Sequence, residues 1–259
     1  MAFTISSASL RKLNPQANRF LAALQAPDFA LLAPHLRSVA LEHGAALYES
    51  GDDIEHVYFP LSGMISLVVV MHDGATVETA TVGRGGAVGT SAGLGSRSAF
   101  GRAVVQLPGM AASIPVPAFH AIANQNPSVR ALVVRYNDLL IRQIQQSVAC
   151  NALHSLEARL CRWLLQTHDC VDGDVVPLTQ EFLGQMLGVR RTTVTIAARL
   201  LQATGMINYR RGHIRIADRA GIEGMACECY TAVRRAADKV FPPSPPLDND
   251  LVRVRKPSG

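Results

Sequence analysis

The sequence lacks the features that mark membrane-spanning and exported proteins. No run of about 18 apolar residues occurs, so we expect no membrane-spanning helix and no membrane partner. The first residues, MAFTISSASLRKL, contain no apolar signal-peptide core. We therefore expect a cytoplasmic protein.

Catalytic signatures are missing as well. The sequence contains no GxSxG nucleophile motif, no phosphate-binding P-loop and no paired carboxylates in a plausible pocket. These patterns supply the nucleophiles and acid–base groups of common enzyme classes. We predict that the chain is not an enzyme.

The cysteines follow no metal-binding spacing. All five fall at or after Cys150, and they form no CxxC pair, HExxH motif or zinc-finger pattern. Cys150 and His154 lie four residues apart on a predicted helix, and Cys227 and Cys229 flank Glu228. Ordinary roles as reduced thiols are the simplest interpretation, so we predict no metal site.

What the sequence does contain is a concentration of arginine near its C-terminal end. The chain has a formal net charge of +5 and a pI near 9.2. Residues 178–216 contain six arginines and one glutamate. Such a basic segment favours a polyanionic partner, because arginine can grip guanine or phosphate with two hydrogen bonds.

The same segment has the pattern of a winged helix-turn-helix. Thr179 is placed to cap a first helix, Gly188 to end it, and a recognition helix is predicted over about 190–203. A basic hairpin follows. A recognition helix enters the major groove of double-stranded DNA, so the segment supplies these predicted DNA-binding residues: Thr179, Gln180, Arg190, Arg191, Thr192, Thr193, Thr195, Arg199, Arg210 and Arg211.

This segment resembles the C-terminal domain of the Crp–Fnr superfamily of bacterial transcription regulators. The matching residues are LT, Glu181, Leu183–Gly184, Leu187–Gly188, Arg191, Thr193–Val194 and a Gly-Met-Ile exit. The resemblance implies that Arg191 reads a guanine in each half-site. Thr192 stands where the cyclic-AMP-responsive members have a glutamate, so their half-site sequence is not carried over.

The first half of the chain alternates with the period of β-strands. Short predicted strands, separated by turn signals, run from Ser38 to about Pro117, which is typical of a sandwich or barrel. Their order, and LYESGDDIEHVYFPLSGMISLVV in particular, resembles the cyclic-nucleotide-binding β-roll of the same family. The resemblance implies a sensor domain.

The family's phosphate cassette is altered in this sequence. Thr90 stands where the ribose-binding glutamate is expected, and Arg97–Ser98–Ala99 comes a few residues early. We therefore expect no cofactor, with cyclic AMP disfavoured, and an effector that is unknown or absent. The candidate effector residues are Gly89, Thr90, Ser91, Arg97, Ser98 and Arg102.

An apolar stripe with a spacing near 3.5 residues predicts a long helix from Ser128 to Ala149. Such a stripe can face the chain's own β-roll or a partner helix, and the resemblance implies a dimer. The predicted interface residues are Leu132, Val133, Tyr136, Leu139, Leu140, Gln143 and Ile144. Residues 150–152 are the predicted hinge.

We thus predict an α+β protein with an N-terminal cyclic-nucleotide-binding-like β-roll, a long dimerisation helix and a C-terminal winged helix-turn-helix. The predicted segments are a sensor domain over 1–125, the helix and hinge over 126–152, the DNA-binding domain over 153–241 and a disordered tail over 242–259. The predicted function is a homodimeric transcription regulator that binds palindromic DNA, with RNA polymerase as a further candidate partner. A haem- or metal-responsive sensor of the same fold is the alternative, since His35, His43, His56 and His72 fall in or near the β-rich half.

Overall fold

The computed structural model describes residues 14–171, 173–210 and 212–241. The predicted tail over 242–259 and Arg211 therefore lie outside the described residues. Within the described part, no helix is both long enough and apolar enough to cross a membrane.

The first described segment is fastened to the β-rich half by one asparagine. Helices α1 (Arg19–Ala22) and α2 (Ala26–Leu32) follow Asn18, which is fully buried. Its side-chain oxygen accepts hydrogen bonds from the N–H groups of Phe20 and Leu21, which caps α1. Its amide nitrogen donates to the carbonyls of Pro60 and Gly86. One buried polar side chain is thus fully paired and joins the segment to the roll.

The β-rich half consists of two antiparallel sheets. One has the order β1-β7-β3 and the other β2-β6-β4-β5. The short strands predicted between Ser38 and about Pro117 are confirmed. The strands are β1 (Arg37–Leu41), β2 (Ala46–Tyr48), β3 (His56–Pro60), β4 (Met64–Val70), β5 (Thr76–Val82), β6 (Arg102–Leu107) and β7 (Gly109–Pro115).

Two helices follow the roll. The second, α4 (Pro127–Leu153), is the predicted long helix. The first, α3 (Val116–Gln125), was not predicted; Val116, Phe119 and Ala123 bury its inner face. The predicted hinge residues 150–152 are helical, so the hinge prediction is wrong in position. The break comes at His154 and Ser155, where Ser155 caps the next helix.

The C-terminal half is a helical unit with a small sheet. The sequence predicts one last helix, capped near Asp218 and running to about Val240. The structure instead has two helices, α8 (Arg219–Met225) and α9 (Cys229–Val240), separated by Ala226–Glu228. Asp218 caps α8. The elements are α5 (Leu156–His168), β8 (Val175–Pro177), α6 (Gln180–Leu187), α7 (Arg191–Ala203), β9 (Ile207–Arg210), β10 (His213–Ile216), α8 (Arg219–Met225) and α9 (Cys229–Val240).

The two halves share buried surface. Met64 and Leu107 of the roll belong to the same apolar cluster as Trp163 of α5. Trp163 donates from Nε1 to Glu78 Oε1 at 3.0 Å. Helix α9 packs along α4, and Phe241 is buried in the cluster that contains Phe20 and Tyr136. The C-terminal half is therefore docked against the β-rich half.

Candidate nucleic-acid interface

The helix-turn-helix forms as its sequence predicts. Thr179 caps α6, its hydroxyl accepting from the N–H of Phe182 at 3.2 Å. Gly188 ends α6 in the left-handed conformation, with φ of 65°. A Cβ built on Gly184 would lie 2.9 Å from the carbonyl oxygen of Val189. Glycine at this position therefore lets the turn pack closely against α6.

Helix α7 divides into a buried face and an exposed face. Val194, Ala197, Ala198 and Leu201 pack inward, as the helical spacing predicts. Its exposed side and the residue just ahead of it carry five of the ten predicted DNA-binding residues. Those residues, with Arg190 just ahead of the helix, are Arg190, Arg191, Thr192, Thr193 and Arg199. The positive end of the helix dipole adds to the charge of the two arginines.

Gln180 and Thr195 bond each other across the two helices. The Thr195 hydroxyl lies 2.8 Å from Gln180 Oε1 and 3.0 Å from the carbonyl oxygen of Arg191. Both side chains are half-buried. Their contact orients α7 relative to α6, so we assign them a positioning part in the surface.

The wing is a sheet of order β8-β10-β9. Arg210 is exposed at its end, beside Gly212 with φ of 77°. Two further exposed residues, Asn208 and Arg215, form a register pair on the same sheet. They were not predicted as DNA-binding residues, although the strand alternation of His213–Ile216 places Arg215 on the solvent side.

Two exposed apolar side chains on α7 were also not predicted as DNA-binding residues. Ile196 is 67 % exposed and Leu200 is 46 % exposed. Their positions among polar residues on the open face are visible in the sequence. An exposed apolar group on a recognition helix can contact the methyl group of thymine.

The start of α7 borders a cleft between the two halves. This cleft, of about 680 Å³, is lined on one side by Arg190 and Arg191. On the other side it is lined by the β4–β5 turn and the start of β5, through Met71, Gly74, Ala75, Thr76 and Val77. A Cβ built on Gly188 would lie 3.2 Å from Val77 Cγ2. The roll thus contacts the helix-turn-helix beside the end that would enter DNA.

Comparison with known families matches one family model to each half of the chain. The family model of the cyclic nucleotide-binding domain matches residues 38–126. The model of the Crp-like helix-turn-helix domain matches residues 158–225. The chain belongs to the Crp–Fnr superfamily. The helix-turn-helix is therefore the DNA-binding part of a transcription regulator, and the coarse fold prediction is confirmed.

Individual relatives agree with the family assignment. The chain is 26 % identical over 184 residues to the global nitrogen regulator of a Nostoc species, a match that covers 68 % of this chain and 82 % of that protein. A solved CRP/FNR-family regulator from Thermus thermophilus has a TM-score of 0.61 and 21 % identity; the match covers 73 % of this chain and 97 % of that one. This structural likeness supports the fold.

A third relative is much longer than this chain, and the match covers a small part of it. The chain is 26 % identical over 172 residues to the neuropathy target esterase sws of Drosophila mojavensis. That match covers 63 % of this chain and 11 % of the esterase. The chain thus spans about a tenth of that relative's length, and the likeness carries no argument for esterase activity.

The predicted effector residues of this Crp–Fnr protein are scattered or already paired. The Thr90 hydroxyl donates to Asn137 Oδ1 of α4 at 2.6 Å. Arg102 lies 3.2 Å from Glu49 Oε1. Gly89 adopts φ of 86° and precedes a short helix. The remaining three, Ser91, Arg97 and Ser98, are exposed.

Four of the seven predicted dimer residues are used inside the chain. Leu132, Val133, Tyr136 and Leu139 are buried in its own core. Leu140 packs partly against the same core, and Gln143 donates to the carbonyl of Thr81 at 3.1 Å. These residues pack inside the chain because the predicted apolar stripe of α4 faces the roll. This was one of the two arrangements that its spacing allowed. A dimer interface on α4 would therefore use residues other than these six.

Proposed function

We propose that the protein is a homodimeric, sequence-specific transcription regulator that reads a palindromic DNA site with α7. The observation that carries the proposal is the exposed start of α7, where Arg190 and Arg191 precede a run of exposed threonines. Arginine there can take guanine O6 and N7 with two hydrogen bonds. The wing residues Arg210 and Arg215 are placed to contact the flanking phosphates.

Exposed apolar residues on α4 support the dimer. Val134, Ile141 and Val148 are 49 %, 53 % and 65 % exposed. They recur every seven residues, so they share one face of the helix, and Ile144 lies beside them half-exposed. We propose this stripe, in place of the buried residues, as the surface that meets the second copy.

Substitution of Arg191 tests the reading of DNA. The cognate site is first selected from a random duplex pool, and affinity is then measured by fluorescence anisotropy. Arg191→Ala should weaken binding by roughly 5- to 150-fold, corresponding to about 1–3 kcal/mol, and should blur one base position.

The matched control is Arg235→Ala, which removes the same charge from an exposed position on α9, outside the helix-turn-helix. It should leave the affinity nearly unchanged. Full affinity and selectivity in Arg191→Ala would refute the docking of α7 in the major groove.

We further propose that the family's cyclic-nucleotide cassette is not used. Thr90 donates to Asn137 and Arg102 lies 3.2 Å from Glu49, so both side chains already have a partner within the chain. Calorimetric titration with cyclic AMP, cyclic GMP and cyclic di-GMP should give no heat of binding. Saturable micromolar binding of any of them would overturn this part of the proposal.

The remaining proposals concern chemistry and partners. We propose a non-enzymatic protein, with RNA polymerase as a further partner. An absorption spectrum of the purified protein distinguishes the proposed regulator from the haem-responsive alternative. A cytoplasmic location stays a prediction of the sequence.

A further inference from the structure

Four side chains that can bind a metal ion meet where α4 ends. Cys150 lies in the last turns of α4 and His154 follows that helix, while Cys227 and Cys229 lie at the junction of α8 and α9. Their ligand atoms all lie within 4.8 Å of one another. Cys150 and Cys227 are 77 residues apart in the chain, so their spacing in the sequence carried no metal-binding pattern.

The distances suit one tetrahedral ion. The Sγ atoms of Cys150 and Cys227 are 3.5 Å apart, and Cys229 Sγ is 3.4 Å from His154 Nδ1. Bonds of about 2.3 Å to sulfur and about 2.0 Å to nitrogen put neighbouring ligands of tetrahedral zinc roughly 3.5–3.8 Å apart. A disulfide would require about 2.05 Å, and all five cysteines are free.

The surroundings favour a negatively charged complex. Cys150 and Cys229 are fully buried, and Arg159 and Arg162 are 8 % and 7 % exposed. Both guanidinium groups act electrostatically on the Cys150 thiol or thiolate. Each Nε lacks a hydrogen-bond partner among the described residues. Buried cations need nearby negative charge, and a divalent ion with three thiolates and neutral imidazole carries one net negative charge.

The outer contacts also match those of a metal site. His154 Nε2 lies 3.3 Å from Glu228 Oε1, while its Nδ1 faces Cys229. A ligating histidine commonly donates its second ring N–H to a carboxylate, which fixes the ring's tautomer and orientation. The Gln146 amide donates to Cys229 Sγ at 3.0 Å. Such donors stabilise a thiolate.

We propose that Cys150, His154, Cys227 and Cys229 bind a single zinc ion in a tetrahedral site with three thiolates and one imidazole. Thiolate and imidazole ligands suit zinc. A cluster of several irons binds its cysteines through different iron atoms, which would hold the sulfurs farther apart. The ion joins the end of α4 to the start of α9. This site does not depend on the proposed DNA-binding function.

Metal content and cobalt substitution test the site. The full chain, purified under reducing conditions from zinc-supplemented cells, should hold about one zinc ion per chain. After chelation, Co²⁺ should restore the intense visible bands and the sulfur-to-metal charge-transfer band of a tetrahedral thiolate site. Zinc should then displace the cobalt and remove the bands.

Alanine variants assign the ligands. Cys227→Ala with Cys229→Ala should abolish both the zinc content and the cobalt spectrum, while Cys161→Ala with Cys170→Ala, which spares the four ligands, should retain both. His154→Ala changes a partly exposed side chain and should fold; its cobalt affinity should fall at least tenfold. Circular dichroism checks the fold of each variant.

Three outcomes would overturn the proposal. One is wild-type protein that holds no zinc and gives no cobalt spectrum. Another is a spectrum that the Cys227 and Cys229 substitutions leave intact. The third is a Cys150–Cys227 disulfide, found by mass spectrometry in protein purified under reducing conditions.

Discussion

At the scale of single residues, Glu78 is a carboxylic acid buried between the two halves. Burial raises its pKa to about 7, against the hydrogen bond from Ser66, the charge of Arg162 and the hydrogen bond from Trp163, all of which lower it. Ser66 lies 2.5 Å from Glu78 Oε2, and its hydroxyl also contacts Gln106. A neutral Glu78 could donate to Ser66, and Ser66 could then donate to Gln106. Protonation therefore suits this buried group.

The raised pKa of Glu78 predicts a pH dependence of stability. The folded protein keeps a proton that the unfolded chain releases above about 4.5, so the free energy of unfolding should fall as pH rises from about 4.5 to about 7 and then level off. The loss should be roughly 2–4 kcal/mol. Glu78→Gln keeps the shape and both hydrogen bonds but cannot ionise.

Urea unfolding at several pH values checks this prediction. The difference in unfolding free energy between Glu78→Gln and wild type should grow across the window from about 4.5 to 7, because other titrating groups cancel in the comparison. Parallel pH profiles for the two proteins would show that Glu78 ionises in the folded state as it does in the unfolded chain.

At the scale of elements, local sequence predicted what local forces decide. The strands of the roll follow alternation, and α6 and α7 follow their cap and turn residues, Thr179 and Gly188. The sequence could not predict whether the apolar stripe of α4 faces the roll or a partner helix, because the same spacing suits both surfaces. The proximity of Cys150 to Cys227 could not be predicted from the sequence either, since it depends on how α9 packs against α4.

The free face of α4 gives a prediction about assembly. Ile141→Asp should convert the proposed dimer to a monomer, because it places a charge in the centre of the Val134–Ile141–Val148 stripe. Light scattering coupled to size-exclusion chromatography measures the mass. Phe100→Asp is the control, since Phe100 is 89 % exposed on the loop ahead of β6 and is not part of this stripe. A dimer that survives Ile141→Asp would place the interface elsewhere.

At the scale of the whole molecule, the docked arrangement bears on DNA binding. The β4–β5 turn borders the cleft that contains Arg190 and Arg191, so a duplex approaching α7 would meet the roll. Binding to DNA should therefore select a state in which the helix-turn-helix has moved away from β5. Trp163 is the single tryptophan of the chain and is fully buried. Its fluorescence can report this movement.

Weakening the contact between Val77 and Gly188 should increase DNA affinity. Val77→Asp adds a charge beside α6, which destabilises the docked state and raises the fraction of chains able to bind. We expect several-fold tighter binding of the selected duplex and a red shift of Trp163 emission. Val39→Asp, at a half-buried strand position in the other sheet, should change neither. A red shift with unchanged affinity would show that the docked state already admits DNA, and the two halves would then move independently of binding.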